Sequence, residues 1–355
     1  MNRTPRSSRR RATAALTGLA LLSSLALSAC GASPASGKTT LTFASFGGAY
    51  SEAQKKAWVD AYTKANPDVK IVMDSPVDQA KIKAMVESGN VTWDVVDVNG
   101  DFGLDSHKAL LEPIDCTVVT TCDAPSPGMT NSKYRVAENV TTFAVGYDAD
   151  RFETEPTSYK DFFDVDTYPG KRGLWKLASG GALELALLAD GVAPDKLYPL
   201  DVDRALKKLK TIEDNIIWYD SPPQGEDILA SGEATMVLNF AARPYDLATR
   251  LKKPTKILWD AHIDLGSYLV VPKGSKHADE AMKFIAWVTD PAHNAEITKH
   301  YPLGPGSAAA LPKADKSKAE WLATSHADTG VGQDDQYWDQ NFGSVNDKFQ
   351  AWLTK

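Results

Sequence analysis

Three cysteines and six histidines in 355 residues set the first limits on this chain. So few cysteines exclude a disulfide-dense scaffold. His293 and His300 are seven residues apart, about two helical turns, and His262-Ile-Asp264 has no second histidine beside it, so no metal site is expected. There is no Gly-x-Ser-x-Gly elbow, no phosphate loop and no recognisable nucleophile–base constellation. No catalytic residue and no cofactor are therefore expected, and an enzyme is the weaker class. Beyond residue 30 no apolar run approaches the roughly 20 residues that span a bilayer. Basic charge is also scarce there. Five of the 39 Lys+Arg residues lie in the first 29 positions, leaving 34 against 46 Asp+Glu, a balance of −12. No Lys/Arg cluster interleaved with aromatics follows, which sets nucleic acid aside as a partner.

What is present begins with Arg3, Arg6, Arg9, Arg10 and Arg11, an apolar run from Ala14 to Leu27, then Leu27-Ser28-Ala29-Cys30. Charge followed by a short apolar run and small residues is the order of an export signal. With cysteine at the cleavage point, the segment resembles a bacterial lipoprotein signal. Residues 1–29 are then removed, Cys30 carries lipid, and 30–38 form a flexible leash rich in Gly, Ala, Ser and Pro. The other reading is an ordinary signal with a chance cysteine. Ser8-Arg9-Arg10 is a partial twin-arginine pattern, so the export route stays open. The expected location is the outer face of the cytoplasmic membrane or the periplasm. In an exported chain, Cys116 and Cys122 suggest a local disulfide, with two free thiols as the alternative.

From Thr39 onward strand and helix patterns alternate. Thr40–Ala44 reads as a strand followed by a Phe46-Gly47-Gly48 turn. Ser51 and Gln54 read as a capping box opening a helix that Asn66-Pro67 stops. Val69–Met73 is a strand, residues 79–86 a helix, and Trp93-Asp-Val-Val-Asp-Val98 a buried strand. A second set starts at Arg172 and Leu174 and includes helices at 182–189 and 203–212. Such alternation predicts an α/β architecture of two lobes, each a mostly parallel sheet flanked by helices. Residues 142–147 and 267–271 read as strands crossing between them, a two-strand hinge. The expected division is 39–145 with 265–310 for lobe one, and 146–264 with 311–355 for lobe two. Ligands of open α/β sheets lie outside the carboxyl ends of strands, so two such lobes face each other across a cleft.

Ser45-Phe-Gly-Gly-Ala-Tyr50, Trp93–Val98, Leu111-Glu-Pro-Ile-Asp115, Tyr168-Pro-Gly-Lys-Arg172, Asp190–Pro199 and Val271-Pro-Lys-Gly-Ser275 together resemble the polyamine-type extracellular solute-binding proteins of ABC importers. The resemblance runs from about Leu41 to Pro305. It implies a type II periplasmic-binding-protein fold that closes on a small amine-bearing solute, such as putrescine or spermidine. Delivery is to a membrane permease and its ATPase, with the receptor expected to act as a monomer. An iron-binding relative would want adjacent tyrosines, and no Tyr-Tyr pair occurs. A tethered sensor module is a further alternative.

By position, the resemblance places Phe46, Tyr50 and Tyr301 as the rings that hold a cation. Where it expects acidic residues, this chain has Ser267 and the Ser179-Gly180-Gly181 turn, and Leu265 and Leu238 replace expected tryptophans. A Ser-Gly-Gly helix start offers backbone N–H groups to an anion. Arg243 offers a bidentate contact, and Asp101, close behind Asn99, offers a carboxylate for an amine. Ten candidates follow: Phe46, Tyr50, Asn99, Asp101, Ser179, Gly180, Gly181, Arg243, Ser267 and Tyr301. Anion and amine subsites in opposite lobes suit a zwitterion, so an ω-amino acid or amino acid is the alternative ligand. Trp58, Trp175, Trp287 and Trp321 are expected to pack against cores.

Overall fold

A computed structural model describes residues 38–354; the leader, Cys30 and most of the leash lie outside them. Among the described residues no helix is long and apolar enough to cross a membrane. The first unit alternates β1 (Thr39–Ala44), α1 (Gly48–Gln54), α2 (Asp60–Ala65), β2 (Val69–Asp74), α3 (Gln79–Ser88) and β3 (Val95–Asn99). β1 pairs in parallel with both β2 and β3. The long β4 (Val136–Asp148) then leads to β5 (Arg172–Trp175), α4 (Ala182–Ala189), α5 (Val202–Lys210), β6 (Ile216–Tyr219), α6 (Pro222–Ser231), β7 (Met236–Phe240) and α7 (Ala242–Arg250). Here β5 is the central parallel strand between β6 and β7. The chain returns along β8 (Thr255–Val270) to α8 (Ala278–Thr289), α9 (Pro291–Asn294), α10 (Ile297–His300) and β9 (Gly304–Pro305). It ends with β10 (Val331–Gly332) and α11 (Asp335–Leu353).

The strand order β2-β1-β3-β8-β4-β7-β5-β6 puts a parallel triplet on each flank, joined by antiparallel β8 and β4. This is the two-lobed α/β fold, with two crossing strands at its centre. The pairing of β4 with β8 shifts register partway along. After Phe143 faces Ile263, the next pair is Val145 with Leu258, so one β4 residue spans four residues of β8. Each flank has its own core. Leu41, Phe43, Trp58, Val95, Phe284 and Ile285 fill the first, while Phe162, Leu174, Leu183, Leu206, Trp338 and Phe349 fill the second. Each fully buried Leu, Val or Phe side chain contributes about 1.5–3 kcal/mol by leaving water. All eight residues of α4 are buried, seven of them apolar and the eighth Glu184, whose carboxylate accepts from Tyr198 at 2.9 Å and Trp338 at 3.0 Å.

One local expectation is corrected. The first helix starts at Gly48 rather than Ser51, capped by Gly47 with no side-chain cap, and the Ser51 hydroxyl accepts from the Gly47 N–H at 2.8 Å. Gly47 and Gly48 have φ of 86° and 61°, left-handed values that glycine adopts without cost. That lets the strand turn at once into the helix and sets Tyr50 in its first turn. A π-helical segment, Lys55–Val59, then carries Trp58 into the core, where its indole N–H donates to the His293 carbonyl at 2.9 Å. Trp287 and Trp321 are only partly buried, Trp287 stacking on His293 and Trp321 meeting Tyr245 edge-on. Cys116 and Cys122 are joined as a disulfide with Cα atoms 5.8 Å apart.

Candidate functional site

Strand ends build the site. Beyond β1 lie Phe46, Gly47 and Tyr50; Asn99 ends β3, Trp175 ends β5, Phe240 ends β7, and Ala242 and Arg243 open α7. These residues line one cavity of about 350 Å³, together with Thr141 of β4, Ser267 of β8, Pro222, Pro223, Tyr301 and Leu303. The volume suits a small solute, and aromatic rings with a few convergent polar groups are what such sites are made of. A larger hollow of about 840 Å³ lies at the start of α11 among Ser106, Ser132, Arg135 and Asp334. It has no aromatic lining and its buried ion pair is already satisfied, so the smaller, ring-lined cavity is the better candidate.

Of the ten candidates, the structure brings Phe46, Tyr50, Asn99, Arg243, Ser267 and Tyr301 to this cavity. Asp101, Ser179, Gly180 and Gly181 are not among its lining residues. Asp101 instead accepts a hydrogen bond from the Gln79 amide at 3.1 Å, and burial pushes its carboxyl up from its ordinary value. The Ser179 carbonyl accepts from Gln333 at 3.1 Å. Gly181 caps α4 at φ 84°, and a Cβ there would meet Phe143 and Ile263 at 3.2 Å, so the turn packs against the crossing strands. Trp175 packs against a core as expected and also lines the cavity, as do Phe240, Thr141 and the Pro222-Pro223 pair. The signal for Trp175 and Phe240 was available: each ends a strand, where open α/β sheets place ligands.

Arg243 is the only charged side chain in the lining among the described residues. Its Nη1 donates to Glu226 Oε2 at 3.1 Å, while Arg250 holds the other oxygen of that carboxylate at 2.9 Å. Glu226 thus anchors one edge of the guanidinium and leaves the remaining donors to a ligand. Nearby, Tyr301 donates to Asp246 at 2.8 Å; burial and that carboxylate push the Tyr301 phenol well up and keep it neutral.

The opposite wall is a layered polar network. Tyr50 donates to Asp97 Oδ2 at 2.8 Å, accepts from the Asn139 amide at 2.7 Å, and lies 3.1 Å from the Ser267 hydroxyl. Behind it the Gln54 amide donates to Asp97 Oδ2 at 2.8 Å and to Glu138 Oε1 at 2.6 Å. Asp97 and Glu138 are fully buried. Burial raises both carboxyls, and the charge of Asp97 raises Glu138 further. The Tyr50 phenol is pushed up by burial first and then by the two carboxyls. Phe46, 38% exposed, meets Tyr50 edge-on with ring centres 5.8 Å apart. Trp175 and Phe240 meet at 6.3 Å on the other flank.

With this geometry in place, known proteins give a consistent comparison. The family model described as "Bacterial extracellular solute-binding protein" matches residues 57–324. The gamma-aminobutyric acid-binding protein of Pseudomonas aeruginosa is 32% identical over 326 residues, which is 89% of this chain and 91% of that protein. A solved GABA receptor is 36% identical with a TM-score of 0.80, covering 88% of this chain and 97% of its own. A periplasmic binding protein of A. tumefaciens R10, solved with agropinic acid, is 33% identical with a TM-score of 0.75, covering 89% and 99%.

Proposed function

This chain belongs to the bacterial extracellular solute-binding proteins, and from that premise we propose that it captures an ω-amino acid of the γ-aminobutyrate type between its lobes. Its general role is that of the solute-binding component of an ABC-type importer, with a small molecule and a membrane permease as partners. Catalysis is not the role of its relatives.

One observation carries the choice of ligand: the charged group in the cavity lining is a guanidinium with donors to spare, and no lining residue is a carboxylate. A planar guanidinium matches a solute carboxylate in bidentate geometry. An ammonium at the other end is accommodated by the faces of Phe46 and Tyr50 through cation–π attraction. A diamine, the first expectation from the polyamine resemblance, would bring two positive charges to a wall that holds a positive charge. The names of the relatives, two for γ-aminobutyrate and one solved with agropinic acid, support a carboxylate-bearing solute.

Thermal unfolding of the soluble protein, cut after Cys30, tests this. A ligand that binds only the folded state at 100 times its Kd stabilises by about 2.7 kcal/mol. γ-Aminobutyrate is expected to raise the Tm and putrescine to leave it unchanged; the reverse would restore the polyamine reading. The reading also includes attachment through lipid on Cys30, supported by the signal sequence. On fractionation, Cys30→Ser is expected to move the protein from the membrane to the soluble fraction, and retention at the membrane would remove the anchor from the proposal.

A further inference from the structure

Asp97 on β3 and Glu138 on β4 are both without exposure to solvent and are bridged by a single donor. One amide, that of Gln54, donates to an oxygen of each. The other two oxygens, Asp97 Oδ1 and Glu138 Oε2, have no donor among the described residues. Two buried acceptors without donors cost free energy, and two adjacent buried negative charges repel. A single proton between the carboxyls removes both penalties, the arrangement of a carboxyl dyad.

Every element packed against the pair contributes neutral groups. α1 supplies Tyr50 and Gln54, the end of β1 supplies Ser45, β4 supplies Asn139 and β8 supplies Ser267. Asn294 of α9 donates to the Glu138 backbone carbonyl at 2.8 Å. Tyr50 is the other titratable group, held neutral, and Arg243 is the charged group of the cavity lining. The pair is therefore separated from the solute by one layer, the Tyr50 hydroxyl and Ser267, which touch the network on one side and the cavity on the other.

We propose that Asp97 and Glu138 share one proton in the empty cleft and release it to solvent when the ammonium end of the solute docks against the Tyr50–Ser267 wall. This rests on the solute reading above, because Arg243 on the far wall orients the carboxylate away from the pair and the ammonium towards it. An incoming positive charge favours the doubly ionised pair over the singly ionised one. Capture then becomes proton-linked: affinity rises with pH through the range in which the pair loses its shared proton, by at most about tenfold per pH unit for one proton released. Asp97 and Glu138 act as positioning residues, through Tyr50, without touching the solute.

Isothermal titration of γ-aminobutyrate into the wild-type protein near pH 6.5, in buffers of different ionisation enthalpy, reads the released proton directly. A buffer-dependent heat equivalent to roughly half to one proton per site is expected. Glu138→Gln keeps shape and hydrogen bonding; it is expected to bind with the buffer dependence and the pH slope both gone, and Asp97→Asn serves if the first variant fails to fold. Infrared spectra of the empty wild type should hold a protonated carboxyl band that fades on binding and is missing in Glu138→Gln. Heat of binding without buffer dependence overturns the coupling and leaves the solute reading intact. No heat with γ-aminobutyrate, its homologues or putrescine overturns the solute reading and the coupling together, even if the band is seen.

Discussion

Replacing Arg243 with alanine is expected to weaken γ-aminobutyrate binding by about 2–4 kcal/mol, roughly 30- to 900-fold at 25 °C, while leaving the fold in place. The loss follows from geometry. Glu226 occupies one edge of the guanidinium, the cavity receives the rest, and no other cation stands in the lining among the described residues. A carboxylate brought into the variant would meet Phe240, Trp175 and two prolines, none of which replaces the charge. Folding survives because Glu226 keeps Arg250 at 2.9 Å, and because Arg243 itself sits at the partly open cavity wall, where an ion pair adds little to stability. Arg243→Lys should recover only part of the affinity, since an ammonium is a point charge and cannot present a planar fork. Titration calorimetry of the three proteins makes the comparison. Unchanged affinity in Arg243→Ala would place the solute carboxylate elsewhere.

The second large effect concerns stability, at a distance from the cavity. Arg135 is fully buried, with its guanidinium 3.7 Å from the ring centre of Tyr268, and it donates to the backbone carbonyls of Gly100, Phe102 and Thr130. Its one carboxylate partner among the described residues is Asp335, the first residue of α11, at 2.6 Å; Tyr268 donates to the same oxygen at 2.8 Å. A helix that packs in the core of the second lobe is thereby fastened to the β3 side of the first. The fit is close enough that a Cβ on Gly100 would collide with the Asp335 carboxylate. Asp335→Ala is expected to cost about 3 kcal/mol and several degrees in Tm, because it leaves a buried guanidinium without its counter-charge. The value sits at the low end of the 3–5 kcal/mol range for broken buried pairs, since three carbonyls still solvate Arg135. Asp335→Asn, which keeps an acceptor, should lose less. Equal Tm values for wild type and Asp335→Ala would mean that solvent reaches the guanidinium.

The rings of the first wall were placed by the family resemblance, and their glycine-rich turn straight after a β-rich run made core packing less expected. Trp175 was harder. On a four-residue strand with buried neighbours it reads as core, and only the facing position of Phe240 and the prolines of α6 shows that one side of it is left open. The Ser179-Gly180-Gly181 turn misled for the opposite reason. Its glycines suggested exposed N–H groups, but at φ 84° Gly181 presses against Phe143 and Ile263, so the freedom of glycine is used for close packing.

Asp97 was visible as an acidic residue inside the apolar run Trp93–Val98, and Glu138 as one inside a segment not assigned to any strand. Neither showed a partner, because they are 41 positions apart and come together only when β8 brings β3 and β4 into one sheet.

By itself the sequence determined the alternation of strand and helix, the two-set organisation and the acidic balance. Each of these is written in periodicity or composition over short stretches of chain. The tertiary structure alone decided which strand ends meet across the cleft, that Glu226 holds one edge of Arg243, that Arg135 finds Asp335, and that two carboxyls share a buried amide. Those are pairings between residues far apart in the chain, and their energies come from burial and mutual distance, quantities that exist only once the sheet has formed.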